Sequence, residues 1–305
     1  MKSSNIGGQA VLEGIMMRNE EKYAVAVRKA NGEIELKKDT YGGVTGKCGK
    51  LAKIPFVRGI FKFIDSTVLG IKTLMYSSDM LEEEKPIELS DEEKKKKEKK
   101  DAWEMRGTLL LSVVFAVAIF MMLPYFLSSL LKNSIPSYSV RTLIEGVLRI
   151  AIFLGYMGLV SRMKDIQRTF MYHGAEHKCI NCIEHGMELN VENVRMSSRQ
   201  HKRCGTSFLF LVLAISIILL LLIRVDSMGM RVLVRILLLP VIAGISYEIL
   251  RLGGNSDHPF INIISKPGLA IQKFTTKEPD DSMIEVAIKA VEAVFDWREY
   301  ERDNF

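Results

Sequence analysis

The side chains best suited to chemistry in this 305-residue chain lie close together in the sequence. Four of its five histidines and three of its four cysteines fall between residues 173 and 204. At the start of this interval, His173, Glu176 and His177 form the motif H-x-x-E-H. On a helix, residues i and i+4 share a face, so both imidazoles can reach one metal ion while Glu176 serves as general base toward a water. The motif therefore predicts a metal centre of the hydrolytic type.

A catalytic zinc centre needs a third protein ligand and an open coordination position. His201 and Cys204 are the predicted source of that ligand, and Glu184 is a further candidate. A second interpretation takes Cys179-x2-Cys182 and, 18 residues later, His201-x2-Cys204 as the four ligands of a structural zinc ion. In a third, these side chains bind no metal and only form hydrogen bonds at a crowded membrane surface. The spacing leaves all three interpretations open.

Apolar segments long enough to enter a membrane flank this cluster on both sides. A span of about 20 apolar residues suffices to cross a bilayer. The sequence predicts four transmembrane helices, at residues 108–131, 142–160, 207–223 and 232–250. Pro124 is expected to kink the first helix, and Glu145 is expected to pair with Arg149 in the second. The predicted fold is therefore mainly α, a polytopic membrane protein.

The charge pattern predicts how the helices are oriented. The net charge is +6, and the 161–206 loop alone contains eight lysines or arginines. By the positive-inside rule, four crossings then place both termini and this loop in the cytoplasm. The four cysteines do not resemble a secreted disulfide framework. Residues 1–14 lack a basic segment followed by an apolar one, so a cleavable signal peptide is not expected. The bilayer is the predicted partner; other membrane proteins are a further candidate, and RNA or a ribosome is a less favoured one.

The segments outside the membrane region are polar or amphipathic. Alternating residues on both sides of Asn31-Gly32 predict a β-hairpin, and the glycine-rich stretch before it contains neither G-x-G-x-x-G nor a Walker lysine. Apolar residues at helical spacing predict a basic amphipathic helix at 51–81 and an acid-capped docking helix after Pro279. The predicted organisation is a glycine-rich and hairpin segment (1–50), the amphipathic helix (51–81), a charged linker (82–106), the transmembrane region (107–250) and a cytoplasmic C-terminal segment (251–305).

Four sequence stretches resemble the bacterial YqhQ-like membrane protein family: G-G-Q-A-V-L-E-G-I-M-M-R (7–18), Y-H-G-A-E-H-K (172–178), H-K-R-C-G-T-S-F (201–208) and T-T-K-E-P-D-D-S-M-I-E-V-A (275–287). The resemblance implies a multi-pass protein of the bacterial plasma membrane, described as a predicted metal-dependent enzyme without an established substrate. It singles out Gln9, Glu13, Arg18, His173, Glu176, His177, Cys182, Glu184, His201, Arg203, Cys204 and the 275–281 run. Lys202 stands where the family pattern has proline, and Cys179 is not a fixed family position, which counts against the four-ligand Cys/His site.

Two functions of different classes follow. The first is a membrane-embedded metal-dependent hydrolase for a lipid-linked or membrane-proximal substrate, in which His173 and His177 bind the ion, zinc being favoured, and Glu176 activates water. The second is a non-catalytic factor for membrane-protein biogenesis or scaffolding, suggested by charged residues within apparent transmembrane helices and by amphipathic surfaces such as the one bearing Arg58 and Lys62. We further expect the glycine-rich stretch to fold over the histidine loop, because Gln9, Glu13 and Arg18 otherwise lack an evident role.

Overall fold

The computed structural model describes residues 3–81, 91–223, 225, 227–255 and 258–305. These residues form a small N-terminal sheet followed by helices, so the chain is mostly helical as predicted. The strands are β1 (Ile6–Val11), β2 (Gly14–Asn19), β3 (Lys22–Arg28) and β4 (Ile34–Thr40). The helices are α1 (Gly43–Lys47), α2 (Val57–Leu81), α3 (Asp91–Val117), α4 (Leu123–Ser129), α5 (Tyr138–Val160), α6 (Lys164–Glu184), α7 (Val191–Met196), α8 (Gly205–Leu222), α9 (Met228–Asn255), α10 (Pro259–Thr275), α11 (Asp281–Glu292) and α12 (Trp297–Asn304).

The chain divides into two compact units. The first unit comprises Met1–Leu81, Met157–Ser216 and Arg235–Phe305, and the second comprises Glu82–Tyr156 and Ile217–Val234. All the residues of the H-x-x-E-H cluster belong to the first unit. The architecture that positions the chemistry is therefore that of the first unit.

The N-terminal sheet is antiparallel throughout, with the strand order β1-β2-β3-β4. The predicted hairpin is confirmed as β3 and β4, and the glycine-rich stretch adds a second hairpin, β1 and β2, that turns at Leu12 and Glu13. Successive side chains point to opposite faces of a strand. Accordingly, Ile15 and Met17 pack in one hydrophobic cluster with α6 and α11, whereas Met16 packs with Leu69 of α2 in another. The sheet therefore lies between α6 and α11 on one side and α2 on the other.

The amphipathic helix predicted at 51–81 is observed as α2, which begins later, at Val57. A short 3-10 turn over Leu51–Lys53 precedes it. Arg58, in the first turn of α2, donates a hydrogen bond of 2.7 Å from Nε to the carboxylate of Glu248 on α9. Leu69 is buried, whereas large apolar side chains elsewhere on α2, such as Phe63 and Val68, are about half exposed. This exposed apolar face is what a helix at a bilayer surface needs.

Within the described residues, four helical segments are long and apolar enough to cross a membrane, as predicted. They are Trp103–Ser129, Tyr138–Val160, Gly205–Leu222 and Val232–Gly254. The first contains a π-helical turn at Ala118–Met122, directly before Pro124. Proline has no N–H to donate to the carbonyl four residues earlier, so the helix widens there. The predicted ion pair between Glu145 and Arg149 is present at 3.0 Å.

The polar segments differ from the expectations in two ways. Part of the predicted charged linker, residues 82–90, lies outside the described residues, and from Asp91 onward the chain is already helical in α3. The predicted docking helix is α11, capped by Asp280, whose side chain accepts a hydrogen bond of 3.0 Å from the N–H of Met283. Its apolar face does not face outward, because Ile284 and Val291 are fully buried in the cluster with α6 and the sheet.

Candidate metal centre

The H-x-x-E-H motif lies on α6, as its spacing predicts. The second half of this 21-residue helix, from Gly174 to Glu184, is buried along its whole circumference. His173 and His177 are one turn apart on the same face, and their ring centroids are separated by 4.4 Å. Burial of a helix on all sides fixes its side chains tightly. Each polar group on it must then find a partner or remain available for a ligand.

Backbone carbonyl groups fix both imidazoles at the same ring atom. Nδ1 of His173 lies 2.8 Å from the carbonyl oxygen of Thr275, and Nδ1 of His177 lies 2.7 Å from that of Arg199. A carbonyl only accepts, so each Nδ1 carries the proton in this hydrogen bond. Each Nε2 then has its lone pair available in the neutral ring. Metal-binding histidines in proteins are oriented in this way.

Cys204, immediately before α8, completes the group. Its Sγ lies 3.3 Å from Nε2 of His173. The candidate ligand atoms of His173, His177 and Cys204 all lie within 4.8 Å of one another. Burial opposes ionisation of the Cys204 thiol, but the adjacent His173 and His177 outweigh this effect and hold its pKa well below the usual value. The thiolate is the form of cysteine that binds metals and acts as a nucleophile.

Glu176 lies beside this group without a partner of its own. Its side chain is 5% exposed, and within the described ranges no group donates a hydrogen bond to its carboxylate. Its negative charge is one of the influences that raise the pKa of His173. The close approach of β1 depends on Gly8, because a Cβ atom there would lie 3.0 Å from Cδ of Glu176. Glu176 is therefore held in place by packing, with its oxygen atoms uncommitted.

His201, the other predicted third ligand, is engaged elsewhere. Its Nε2 lies 3.3 Å from Oε2 of Glu184, and its ring centroid is 5.9 Å from that of His177. Arg203 donates to the other oxygen of Glu184, and Ser4 donates to the same oxygen from its backbone N–H at 2.7 Å and its hydroxyl at 2.8 Å. The structure thus places Cys204, and not His201, in the group with the two motif histidines. Both carboxylate oxygens of Glu184 are therefore occupied, by His201 on one side and by Arg203 and Ser4 on the other.

Several side chains that the sequence did not single out hold the 195–204 segment against α6. Lys178 donates to the carbonyl oxygens of Arg195 and Ser197 at 2.8 Å each, and Asn181 donates to two further carbonyls of this segment. The amide of Gln272 accepts from the N–H of His201 and donates to its carbonyl, both at 2.8 Å. Together these bonds determine where Cys204 lies relative to His173.

The run 275–281, singled out by the family resemblance, contributes through its backbone. Thr275 orients His173 through its carbonyl. The backbone of Lys277 also lies close to α6, and its N–H donates to the carbonyl of Phe170 at 2.8 Å. Gly174 permits this approach, because a Cβ there would come within 2.0 Å of the Lys277 carbonyl oxygen. The acidic end of the run, Asp281, forms an exposed ion pair with Arg195. This run therefore orients His173 by a main-chain contact.

Two predicted cysteine ligands lie apart from the centre. Cys179 and Cys182 are free thiols in the hydrophobic cluster beneath the sheet. Burial raises the pKa of both, that of Cys182 to about 11. The Cys182 sulfur contacts the carbonyl oxygens of Met187 and Glu188. Among the described residues, the four-ligand Cys/His arrangement is therefore not assembled.

The N-terminal candidates surround α6 from the sheet side, as expected for a glycine-rich stretch that folds over the histidine loop. Glu13 forms a two-point ion pair with Arg168 of α6, and the Tyr172 hydroxyl lies 3.4 Å from its carboxylate. Gln9 reaches the carbonyl of Gly70 on α2 at 3.5 Å. Arg18 donates to the carbonyls of Glu20 and Tyr41. The first two residues tie β1 and its turn to helices, and none of the three contacts the candidate ligands.

Comparisons with known proteins agree with the resemblance seen in the sequence. No solved structure matches this chain. A curated relative from Bacillus subtilis (strain 168), "Uncharacterized protein YqhQ", is 37% identical over 287 residues, which cover 93% of this chain and 90% of the relative. The family described as "Protein of unknown function (DUF1385)" matches residues 54–297. The matched region includes the three candidate ligands and Glu176. This chain belongs to the DUF1385 family of YqhQ-like proteins.

Proposed function

We propose that this protein is a membrane-embedded, metal-dependent hydrolase whose centre is formed by His173, His177 and Cys204. The observation that carries the proposal is the pair of carbonyl contacts at Nδ1, which leaves both Nε2 atoms directed to the same place as the Cys204 sulfur. Two imidazoles and a thiolate match zinc, and a fourth position stays open for water or substrate.

The residues present fit a divalent metal ion, and each has a distinct proposed role toward it. When bound, such an ion supplies Lewis-acid polarisation of a substrate oxygen and lowers the pKa of a water molecule. His173 and His177 act as neutral ligands held in orientation by Thr275 and Arg199. Cys204 brings a negative charge that offsets part of the charge of the ion.

Glu176 is the proposed general base. A base needs a free oxygen within reach of the proton it removes, and a carboxylate bound by several donors is a poor one. Glu176 is buried and lacks hydrogen-bond donors among the described residues, in contrast to Glu184 on the same helix. Its Oε atoms would accept a proton from the attacking water and later donate it to the leaving group.

The proposed setting is the bacterial plasma membrane, with the centre on the cytoplasmic side. The four apolar helices support membrane insertion. The orientation rests on the positive charge of the 161–206 segment, which favours the cytoplasmic face. A substrate that reaches this centre would be lipid-linked or held near the bilayer surface.

Metal analysis of the full-length chain in detergent tests the proposal. We expect roughly one transition-metal ion per chain by inductively coupled plasma mass spectrometry. His173→Ala, His177→Ala and Cys204→Ala should each lose the ion. His185→Ala and Cys48→Ala are matched controls, because both residues lie outside the group of candidate ligands. These controls should keep the ion.

The role of Glu176 is tested separately. Glu176→Gln should keep the metal yet fail to restore the phenotype of a bacterial strain that lacks the gene. Full restoration by Glu176→Gln would remove the general base from the proposal. Wild-type protein that binds no transition metal, after purification without chelators, would remove the metal centre itself.

A second candidate function follows from the contact between Cys204 and His173. The 3.3 Å separation of Sγ and Nε2, with the thiolate favoured by its surroundings, is also the arrangement of a cysteine nucleophile and its base. The thiolate also raises the pKa of His173 to about 9 despite its burial. Cys204 would then form a covalent intermediate with the substrate.

The substitution Cys204→Asp distinguishes the two candidates. A carboxylate can replace a thiolate as a metal ligand, so under the metal proposal this variant should retain part of the metal and of the biological activity. Under the nucleophile candidate, the same variant should be inactive, and Cys204 of metal-free wild-type protein should react with iodoacetamide much faster than it does in His173→Ala.

A further inference from the structure

A cationic pocket lies on the other side of β1 from the candidate metal centre. Its volume is about 500 Å³, and its walls come from β1, β2, α2, the 201–204 segment and the last turns of α9. Four cationic side chains line it, Arg18, Lys62, Arg203 and Arg251, against one carboxylate, Glu20. We name it the cationic pocket. Such an excess of one charge in a concave site attracts an anion.

The cations of this pocket are incompletely neutralised. Arg203 donates through Nη2 to Glu184, but its Nη1 is buried and has no hydrogen-bond partner among the described residues. Arg18 is held by two backbone carbonyls, and no carboxylate is bonded to it in the part of the chain described. Lys62 has no ion-pair partner there either, and its burial and the charge of Arg18 lower its pKa. Buried donors without acceptors are costly unless a ligand supplies the acceptors.

A second pocket adjoins the first and has the opposite character. It measures about 350 Å³ and is lined almost entirely by apolar atoms, among them those of Phe210, Leu211 and Ile264. Leu250 lines both pockets. Phe210, Leu211 and Leu250 belong to helices that can span a membrane. A cationic cavity and an apolar one that share Leu250 as a wall residue suit a molecule with an anionic head and a hydrocarbon tail.

We propose that the two pockets together bind a phosphate-bearing lipid. The phosphate group lies among Lys62, Arg203, Arg251 and Arg18, and an acyl or prenyl chain occupies the apolar pocket beside Leu250. Arginine binds phosphate oxygens through paired N–H donors, which gives the free Nη1 of Arg203 an acceptor.

The pocket also has a contact with the candidate centre. Gly8 lines the cationic pocket, and the same residue packs against the carboxyl group of Glu176. Arg203 lines the pocket next to Cys204 in sequence. That the bound lipid is the substrate rests on the proposed hydrolase function. Binding itself does not, because none of the pocket cations is a candidate metal ligand.

Binding measurements on the full-length protein in detergent test the proposal. The probes are a short-chain phosphatidic acid, a short-chain phosphatidylcholine and glycerol 3-phosphate, each titrated by microscale thermophoresis. We expect phosphatidic acid to bind best. Lys62→Gln and Arg251→Gln should each weaken it about tenfold, the effect of losing one charge-assisted hydrogen bond. Lys53→Gln, a change of an exposed lysine just before α2 and outside both pockets, is the matched control and should bind as wild type.

The other measurements distinguish a lipid phosphate from a soluble phosphate ester, and they separate the lipid-binding proposal from the hydrolase proposal. Equal binding of glycerol 3-phosphate and phosphatidic acid would overturn the lipid assignment in favour of a soluble phosphate ester. Equal binding of phosphatidylcholine, or wild-type affinity in both Lys62→Gln and Arg251→Gln, would overturn the cationic pocket as the binding site. Chelator-treated protein and His177→Ala should still bind phosphatidic acid, so loss of the metal centre leaves this proposal intact.

Discussion

Two groups, each with a buried glutamate of α6 and at least one histidine, differ in how many hydrogen bonds the glutamate accepts. Around Glu184, each carboxylate oxygen accepts from buried donors, namely His201, Arg203 and Ser4. Around Glu176, about two turns earlier on α6, two histidines and a cysteine converge, and the carboxylate has no donor among the described residues. A saturated buried network stabilises a fold, whereas an unsaturated one is retained for a ligand or a reaction. We take this contrast to favour a structural role for the first group and the proposed chemical role for the second.

The largest expected effect comes from making the same substitution in both groups. Glu184→Gln removes a buried negative charge and leaves the charge of Arg203 uncompensated, so we expect about 3 to 5 kcal/mol lower stability. Glu176→Gln breaks no hydrogen bond, and its stability should change by less than about 1 kcal/mol. Denaturant titration in detergent, followed by the fluorescence of the buried Trp297, measures both. An equal loss of unfolding free energy in the two variants would show that the two glutamates do not differ in how strongly they stabilise the fold.

The pH dependence of stability separates the two groups further. The donors around Glu184 outweigh its burial and lower its pKa to about 2, from 4.5 in the unfolded chain. A carboxyl group with a depressed pKa stabilises the fold above its unfolded pKa, and this contribution disappears as the pH falls from 4.5 toward 2. The loss amounts to about 3 kcal/mol.

The difference between wild type and Glu184→Gln isolates this contribution. Their stability curves should be far apart at pH 6 and converge as the pH falls below 4. Burial also lowers the pKa of His201, so wild-type stability should begin to fall once the pH drops below 6.5. A constant gap between the two proteins from pH 6 to pH 3 would contradict the saturated network.

Metal addition should stabilise the protein through the unsaturated group alone. A ligand that binds only the folded state adds about 2.7 kcal/mol at one hundred times its dissociation constant. Zinc should therefore raise the stability of wild type and of Glu184→Gln by similar amounts, and should have no effect on His177→Ala. If zinc stabilised His177→Ala but not Glu184→Gln, the metal would bind at the group around Glu184 and not at the group around Glu176.

The sequence placed the residues of the H-x-x-E-H motif together, but it did not determine which distant residue joins them. Helical spacing was enough to place His173, Glu176 and His177 on one face, because it depends only on local geometry. The choice between His201 and Cys204 was not predictable in this way. It depends on Gln272 holding the backbone of His201 and on Glu184 accepting from its ring, and both contacts join distant parts of the chain.

The fold was predictable to a similar degree and for the same reason. Four apolar segments are a local property, and Asn31-Gly32 is a local turn signal. The β1 and β2 hairpin has no such signal, since Glu13 adopts a φ of 48° in its turn, a conformation that favours glycine. The carbonyls of Thr275 and Arg199 that orient the histidines have no signature in a sequence either, because every residue carries one.

The smallest expected effect concerns the cysteines, and it separates the two metal interpretations of the sequence. Cys179 and Cys182 are buried thiols in the hydrophobic cluster of α6, α11 and the sheet. Replacing either by alanine removes one sulfur atom from a packed interior and should cost about 1 kcal/mol. Metal content by mass spectrometry should remain at the wild-type value in Cys179→Ala and Cys182→Ala, and should fall in Cys204→Ala. If all three variants lost the ion, the four-ligand structural site would regain support. The carboxylate oxygens of Glu176, which accept no hydrogen bond among the described residues, would then need a different explanation.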